Sequence, residues 1–321
     1  MSRKSLKHNI SKQNPVSAQW IGRFAPSPTG SLHMGSLAAA VASYMIAKKQ
    51  QGKWLIRIED IDKQREVIGS VDSILTDLES YGLFWDDEVF YQSKNEQWHQ
   101  HVIEDIAKSG WLYACDCSRK DILERSEGVY DAKCRVSSNK VITSTEINSH
   151  CPDAAIKINF SHGHDHFEDQ ILNEQSFTSA MQKQDFILKR RDGIFAYQLA
   201  VVADDIHQNI NHVVRGADIL DSTPKQNFLY DILEKTKPSY YHIPLITDDK
   251  NLKLSKSINS PSLKQVEYLQ DQKKVITKSE VLLKIFEHLG QKIESSLHSL
   301  KPREIIEYYI DNWDTKLIIN S

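Results

Sequence analysis

A strand, a tight turn, a helix and a second strand follow one another near the start of the chain, and this pattern limits the fold most strongly. The segment Gln19–Phe24 has a β-type pattern and stops at Ala25–Gly30, where two prolines and a glycine fix an irregular turn. An alanine-rich apolar helix is predicted over Gly35–Gln51, with Gly52 as its stop signal, and Lys53–Glu59 has the pattern of a buried strand. These elements form a βαβ unit, so the strands should be parallel and the crossover right-handed.

The rest of the chain alternates in the same way on both sides of a different middle segment. Helices are predicted over Glu66–Tyr81 and Lys94–Ser109, and regular α/β character returns at Asp185. We therefore predict an α/β fold: a Rossmann-type doubly wound parallel sheet with an inserted subdomain and a small C-terminal helical region. The predicted segments are 1–18, a basic tail; 19–114, the first half of the sheet domain; 115–184, the insertion; 185–258, the second half; and 259–321, the helical region.

The charge is unevenly distributed along the chain. The net charge is -3, yet residues 1–58 contain nine Lys or Arg and no Asp or Glu. This asymmetry indicates a phosphate-facing N-terminal segment, and a solvated basic tail is the alternative. Since no run of about 18 apolar residues occurs and the N-terminus lacks an apolar secretory stretch, we expect a cytoplasmic protein with no membrane partner. A basic, acid-poor organellar transit peptide stays open.

Three of the four cysteines lie close together in sequence. Cys115 and Cys117 are two residues apart, so on an extended strand both sulfurs face the same side, and Cys134 follows after a loop. Three thiolates with a fourth ligand form a closed tetrahedral zinc site, and reduced buried thiols are the alternative. Cys151 is expected to lie outside the cluster.

Two further motifs suit the binding of a nucleoside triphosphate. His33 and Gly35 follow the first strand, where a glycine lets a phosphate or a base approach the backbone and an imidazole can donate to a phosphoryl oxygen. Much later, Lys253 and Lys256 on the polar loop 253–257 offer two ammonium groups. Each motif alone also fits a structural turn or a solvated basic loop, whereas the two together favour a phosphate site.

These motifs, with others between residues 20 and 260, resemble the signatures of class I aminoacyl-tRNA synthetases of the glutamate and glutamine subgroup. The segments that carry the resemblance are Arg23–Gly30, His33–Ser36, Arg57–Asp62, Tyr81–Leu83 with Trp85–Asp86, Arg191–Gly193, Asp204–Asp205, Val214–Asp218 and Lys253–Ser257. The resemblance implies that ATP activates glutamate to glutamyl-adenylate and that the glutamyl group then passes to an RNA.

The resemblance also implies a role for individual residues. It implies a glutamate site of Arg23, Ala25, Ser27, Glu59, Tyr197 and Arg215, and an ATP site of His33, Gly35, Ser36, Lys253, Ser255 and Lys256. His33, Lys253 and Lys256 would be catalytic, with Mg²⁺ sharing the charge of ATP. One structural Zn²⁺ would be held by Cys115, Cys117 and Cys134, with Tyr130 as the fourth ligand.

The RNA acceptor is suggested by the length of the chain. About 60 residues follow the lysine loop, so the large anticodon-gripping portion of full-length glutamyl and glutaminyl enzymes is expected to be absent. The chain is similar in this respect to the shortened glutamyl-queuosine tRNA(Asp) synthetases, which attach glutamate to queuosine in the anticodon of tRNA(Asp). Val201, where full-length glutamyl enzymes usually have asparagine, points the same way. A truncated enzyme that charges tRNA(Glu), or a non-catalytic tRNA-binding paralogue, stays open.

Overall fold

The computed structural model of the protein describes residues 19–137, 154–163, 165–179, 182–246 and 276–318. The strands in these ranges are β1 (Ile21–Phe24), β2 (Lys53–Ile58), β3 (Phe90–Tyr91), β4 (Leu112–Cys115), β5 (Ala155–Ile158), β6 (His166–Asp169), β7 (Asn173–Ser176), β8 (Phe186–Lys189), β9 (His212–Gly216) and β10 (Ser239–Ile243). The α-helices there are α1 (Met34–Lys49), α2 (Ser70–Ser80), α3 (Glu96–Ala107), α4 (Arg119–Ser126), α5 (Lys133–Ser137), α6 (Tyr197–His207), α7 (Thr223–Ile232), α8 (Lys278–His288) and α9 (Pro302–Asn312).

The larger sheet has the strand order β3-β2-β1-β9-β10-β6-β7. All of its neighbouring strands run parallel except β6 and β7, which form an antiparallel pair. Strands β2 and β3 lie on one side of β1, and β9 and β10, which come later in the sequence, lie on the other side. This reversal is a topological switch point, where the carboxyl ends of parallel strands form a crevice for a ligand. The predicted α/β class with a parallel Rossmann-type sheet is confirmed.

Helix α1 is buried on most of its surface, which explains its content of alanine and apolar residues. Leu37, Val41 and Met45 are fully buried in one hydrophobic core with Phe286 of α8 and Tyr309 of α9. The helix contacts β1, β2 and β9 as well as α8 and α9. The C-terminal helices therefore share the core of the parallel sheet and support the helix that follows β1.

The middle of the chain contributes to two sheets. Strands β4, β5 and β8 form a separate antiparallel sheet, so the strands on either side of the predicted 115–184 insertion pair with a strand from inside it. The hairpin β6–β7 instead extends the larger sheet, with Asp169 opposite Tyr240 of β10. The predicted insertion is thus connected to the main sheet through this hairpin.

Some predicted elements differ from the structure at their ends. Helix α2 begins at Ser70 and not at Glu66, because Gly69 has a φ of +77° and a short 3-10 turn over Lys63–Arg65 precedes it. Residues 259–275, the first part of the predicted C-terminal helical region, lie outside the described residues. No helix in the described ranges is long and apolar enough to cross a bilayer.

Candidate active site

A cavity of about 400 Å³ lies at the carboxyl ends of β1, β2 and β9. Nine of the residues predicted to bind glutamate or ATP line it: Arg23, Ala25, Ser27, His33, Gly35, Ser36, Glu59, Tyr197 and Arg215. These residues are up to 192 positions apart in sequence, and the parallel sheet brings them to one edge. Lys253, Ser255 and Lys256 lie outside the described residues, but Leu245 and Ile246, which precede that segment, also line the cavity.

His33 is the N-cap of α1. Its Nδ1 accepts from the backbone N–H of Ser36 at 3.2 Å, and its Nε2 lies 2.9 Å from the Ser36 hydroxyl. With Nδ1 as acceptor, the neutral imidazole carries its proton on Nε2 and can donate there. A Cβ on Gly35 would stand 3.3 Å from the His33 ring, so glycine leaves space for the imidazole above the helix N-terminus. The positive end of the helix dipole and the imidazole donor therefore face the same cavity.

Arg23 at the end of β1 is held by a buried carboxylate. Its Nε donates to Asp205 Oδ1 at 3.0 Å, and Arg57 Nη2 lies 2.7 Å from the same oxygen. Burial alone would raise the pKa of Asp205, but the two guanidinium groups outweigh burial and lower the pKa below its ordinary value. The Asp205 carboxylate thus orients the guanidinium of Arg23 at the cavity wall and offsets the charges of both arginines.

Glu59 directly follows β2 and faces the cavity, with its side chain 11% exposed. Burial raises the pKa of Glu59 to about 7, an effect that Arg57 and Arg23 reduce. The Glu59 N–H donates to Pro26 O at 3.0 Å and so connects the end of β2 to the loop after β1. A carboxylate with this pKa changes its charge near neutral pH and would gain from a cationic ligand.

Arg215 of β9 is only 5% exposed and donates three hydrogen bonds. Its Nε, Nη1 and Nη2 donate to His242 Nε2 at 3.0 Å, Gln226 Oε1 at 2.8 Å and Thr223 Oγ1 at 2.8 Å. A guanidinium has five N–H groups, so these bonds within the described residues leave two N–H groups for a ligand.

Two predicted features of the amino-acid site occupy different positions. Tyr197 is the first residue of α6 and is 39% exposed at the cavity. Val201, one turn later, is 1% exposed in the core and is absent from the described residues that line the cavity. Among the described residues, Val201 is therefore not part of the cavity wall.

Residues with no predicted role complete the site. Asp205 and Arg57 occur in motifs that carried the family resemblance, but their sequence positions do not reveal the ion pairs with Arg23. His242 and Asp169 lie in unrelated segments, and only the pairing of β6 with β10 brings them together. An isolated histidine or aspartate on a strand gives no sequence signal for such contacts.

The three predicted cysteine ligands meet in the structure. The sulfur atoms of Cys115, Cys117 and Cys134 all lie within 4.8 Å of one another, and Cys115 Sγ is 3.5 Å from Tyr130 Oη. Tetrahedral ligands around zinc place their sulfur atoms about 3.8 Å apart, so the residues fit a metal ion of this type. The cluster can bind a metal.

A second cavity of about 800 Å³ adjoins the first and extends to the cysteine cluster. The two cavities share Ser27, Glu59 and Tyr197. The charged residues that line the second cavity are five cations (Arg65, Arg119, Lys157, Arg190 and Arg191) and three carboxylates (Glu59, Asp62 and Asp192). This excess of positive charge suits a phosphate backbone.

Comparisons with known proteins agree with this geometry. A family model described as tRNA synthetases class I (E and Q), catalytic domain, matches residues 21–318. The glutamyl-Q tRNA(Asp) synthetase of Ectopseudomonas mendocina is 41% identical over 306 residues, which cover 95% of this chain and 97% of the relative. The protein of the same name from Idiomarina loihiensis is 42% identical over 295 residues, with 92% and 97% covered.

The fold also has a solved counterpart. The crystal structure of a glutamate-tRNA synthetase from Elizabethkingia anophelis superimposes with a TM-score of 0.74 at 21% identity, over 94% of this chain and 67% of that one. The strand-end cavity, the matched domain and the relatives of nearly equal length together establish the family. The chain belongs to the class I tRNA synthetases of the glutamate and glutamine type and, within them, to the glutamyl-Q tRNA(Asp) synthetase group.

Proposed function

We propose that this protein uses ATP to activate glutamate as glutamyl-adenylate and transfers the glutamyl group to queuosine in the anticodon of tRNA(Asp). One observation carries the proposal: a single cavity contains two arginines, a carboxylate and the N-terminus of α1 with its His33 cap. The names of the relatives support queuosine as the acceptor. A tRNA substrate also supports the predicted cytoplasmic location.

The charges of the cavity match those of glutamate. Arg23 and Arg215 are cations that can each bind a carboxylate, and ionised Glu59 can hold the ammonium group. Tyr197, at the entrance, can add a hydroxyl contact. An amino acid with an acidic side chain satisfies this set because it has two carboxylates and one ammonium group.

Activation requires the glutamate α-carboxylate to attack the α-phosphorus of ATP while pyrophosphate leaves. The Nε2–H of His33 and the N-terminus of α1 would stabilise the charge that develops on the phosphate. Lys253 and Lys256 would bind the triphosphate; Lys253 is seven residues beyond Ile246 of the cavity wall, a span of up to about 25 Å. Mg²⁺ bound to ATP supplies further positive charge.

Transfer requires a hydroxyl of the acceptor to attack the carbonyl carbon of the mixed anhydride, so that an ester forms and AMP leaves. The second cavity supports an RNA acceptor because it opens beside Glu59 and Tyr197 and has an excess of cationic side chains. Anticodon loops present unstacked bases that a cavity of this kind can receive.

A charging assay with labelled glutamate tests the acceptor. We expect incorporation into tRNA(Asp) that contains queuosine, and none into tRNA(Asp) with guanosine at that position or into tRNA(Glu). Removal of the 3′-terminal nucleotides should leave the incorporation intact. Labelling of tRNA(Glu) at its 3′ end would identify a truncated glutamyl-tRNA synthetase. Absence of both charging and ATP–pyrophosphate exchange, with tRNA present, would indicate a binding protein.

The pKa of Glu59 predicts a pH dependence of glutamate use. Because the ionised form binds the ammonium group, kcat/KM for glutamate should fall about tenfold per pH unit as the pH drops below about 7. ATP–pyrophosphate exchange between pH 5.5 and 8.5 measures it. Glu59→Gln should have low activity without this acid limb, whereas the exposed control Glu79→Gln should keep the wild-type profile. A flat wild-type profile through this range would refute the role of Glu59.

We further propose that the cysteine cluster holds one structural Zn²⁺ with Tyr130 as the fourth ligand, supported by the 3.5 Å separation of Tyr130 Oη and Cys115 Sγ. Elemental analysis should find about one zinc per chain in the wild type and none in Cys134→Ser. Chelation should lower the melting temperature of the wild type only, because binding of a structural metal stabilises the fold.

Two further variants define the ligand set. Tyr130→Phe should weaken zinc retention in a chelator competition, and Cys151→Ser, the matched cysteine control, should leave it unchanged. Full zinc content in Cys134→Ser would exclude the proposed site, and unchanged affinity in Tyr130→Phe would exclude the phenol as a ligand.

A further inference from the structure

We propose that Asp169 and His242 are positioning residues that fix the guanidinium of Arg215 for the carboxylate of glutamate. The inference rests on the proposed function, since it assigns Arg215 to the amino acid. Its structural basis is a chain of buried hydrogen bonds that runs from the inserted hairpin to the cavity wall.

The three residues form a continuous and buried chain of hydrogen bonds. Asp169 Oδ2 lies 2.6 Å from His242 Nδ1, and His242 Nε2 accepts from Arg215 Nε at 3.0 Å. The side chains of Asp169 and His242 are both 0% exposed. Only Arg215, at the end of this chain, lines the cavity.

The direction of each bond follows from the charges. The Asp169 carboxylate can only accept, so the Nδ1–H of His242 donates to it, and burial lowers the pKa of His242 and favours its neutral form. Neutral His242 then has an unprotonated Nε2, the form required to accept from Arg215. A histidine of the other tautomer, or a protonated one, would place an N–H against the Arg215 N–H.

Asp169 is itself held in one orientation. Its Oδ1 accepts from the backbone N–H groups of Ile171 and Leu172 at 3.0 and 2.9 Å, in the turn that joins β6 to β7. Oδ2 is therefore left to face His242. The β6–β7 hairpin thus determines the tautomer of the histidine that contacts Arg215, the residue assigned to the glutamate carboxylate.

The substitution Asp169→Asn tests this chain of hydrogen bonds. The backbone N–H groups of Ile171 and Leu172 should still donate to the amide oxygen, so the amide NH₂ would face His242 Nδ1. Because an NH₂ group donates, Nδ1 would have to accept, and the proton of the neutral ring would be on Nε2. Arg215 would then lose the acceptor of its Nε–H and would be held only through Gln226 and Thr223. We expect KM for glutamate in ATP–pyrophosphate exchange to rise about 10- to 100-fold, the usual effect of losing a hydrogen bond to a charged group, with KM for ATP within about twofold of wild type.

Substitutions at His242 separate positioning from general stability. His242→Gln keeps an acceptor near Nε2 and should retain more glutamate affinity than His242→Phe. Because Asp169 acts through the imidazole, Asp169→Asn should have little further effect on KM for glutamate in the His242→Phe background. The matched control is Asp185→Asn, at a buried carboxylate that precedes β8 and accepts from Tyr113; it should lower the melting temperature without changing KM for glutamate.

The outcomes distinguish this inference from the function on which it rests. Suppose that the wild type shows glutamate-dependent exchange and that Arg215→Ala loses it. An unchanged KM for glutamate in folded Asp169→Asn or His242→Phe would then overturn only the positioning role of Asp169 and His242. If Asp169→Asn does not fold, equal KM values for wild type, His242→Gln and His242→Phe would have the same meaning. A wild type that never activates glutamate would instead refute the proposed function.

Discussion

Replacement of His33 by alanine should lower kcat for glutamate-dependent ATP–pyrophosphate exchange by about 10²- to 10³-fold, which corresponds to about 2.7–4 kcal/mol of transition-state stabilisation. The imidazole and the N-terminus of α1 face one cavity, and in the proposed reaction negative charge develops there as pyrophosphate leaves. KM for glutamate should change little, because glutamate is assigned to Arg23, Glu59 and Arg215.

His33 also caps α1, so its variants need a control for stability. Loss of the cap should cost about 1 kcal/mol of unfolding free energy. His33→Ser restores a capping oxygen but no donor that reaches the phosphate, so its stability should recover while its kcat stays low. Ser36→Ala, which removes the hydroxyl next to Nε2, should have a much smaller effect on kcat. Near-normal exchange by stable His33→Ser would contradict a catalytic role for the imidazole.

Replacement of Asp205 by alanine should have the largest effect on stability, about 3–5 kcal/mol of unfolding free energy. The variant leaves the buried guanidinium groups of Arg23 and Arg57 side by side without the carboxylate that bridges them. Arg23 also loses its orientation, so KM for glutamate should rise in the fraction that folds. Denaturant unfolding and ATP–pyrophosphate exchange measure the two effects.

Asp204 gives the matched control, because it is equally buried but binds Gln92, Asn95 and His99 and not Arg23. Asp204→Ala should lose stability with a smaller change in KM for glutamate.

The stabilisation by Asp205 depends on pH. Since the pKa of Asp205 is lowered in the folded protein, its stabilisation is present at neutral pH and disappears as the pH falls below about 4. Equal stability of wild type and Asp205→Ala at pH 7 would contradict the bridging role.

Local patterns in the sequence were sufficient for the βαβ unit and for a phosphate site at His33 and Gly35, whereas the other predicted residues of the cavity came from the resemblance to the synthetase family. Strand β1, helix α1 and strand β2 follow from prolines, glycines and apolar periodicity, and a parallel sheet necessarily brings their loops to one edge. His33 could be assigned because it lies at the beginning of such an element, and Arg23 and Glu59 were assigned through the motifs that resemble the synthetase family.

The remaining contacts depend on which strands become neighbours, and periodicity does not contain that information. The polar strand β7 has no apolar alternation, so its pairing with β6 at the edge of the large sheet could not be predicted. Asp169 reaches His242 only because β6 pairs with β10. The Asp205 bridge to Arg23 likewise depends on the position of α6 against β1, which is set by packing over a separation of 182 residues.

A crystal structure with a non-hydrolysable glutamyl-adenylate analogue would test the assignment of this cavity to glutamyl-adenylate most directly. We predict that its glutamyl group contacts Arg23, Glu59 and Arg215, and that its phosphate-equivalent group lies at His33 and the N-terminus of α1. The assignment would be contradicted if the analogue bound outside the cavity at the ends of β1, β2 and β9. It would also be contradicted if the glutamyl carboxylates contacted neither arginine.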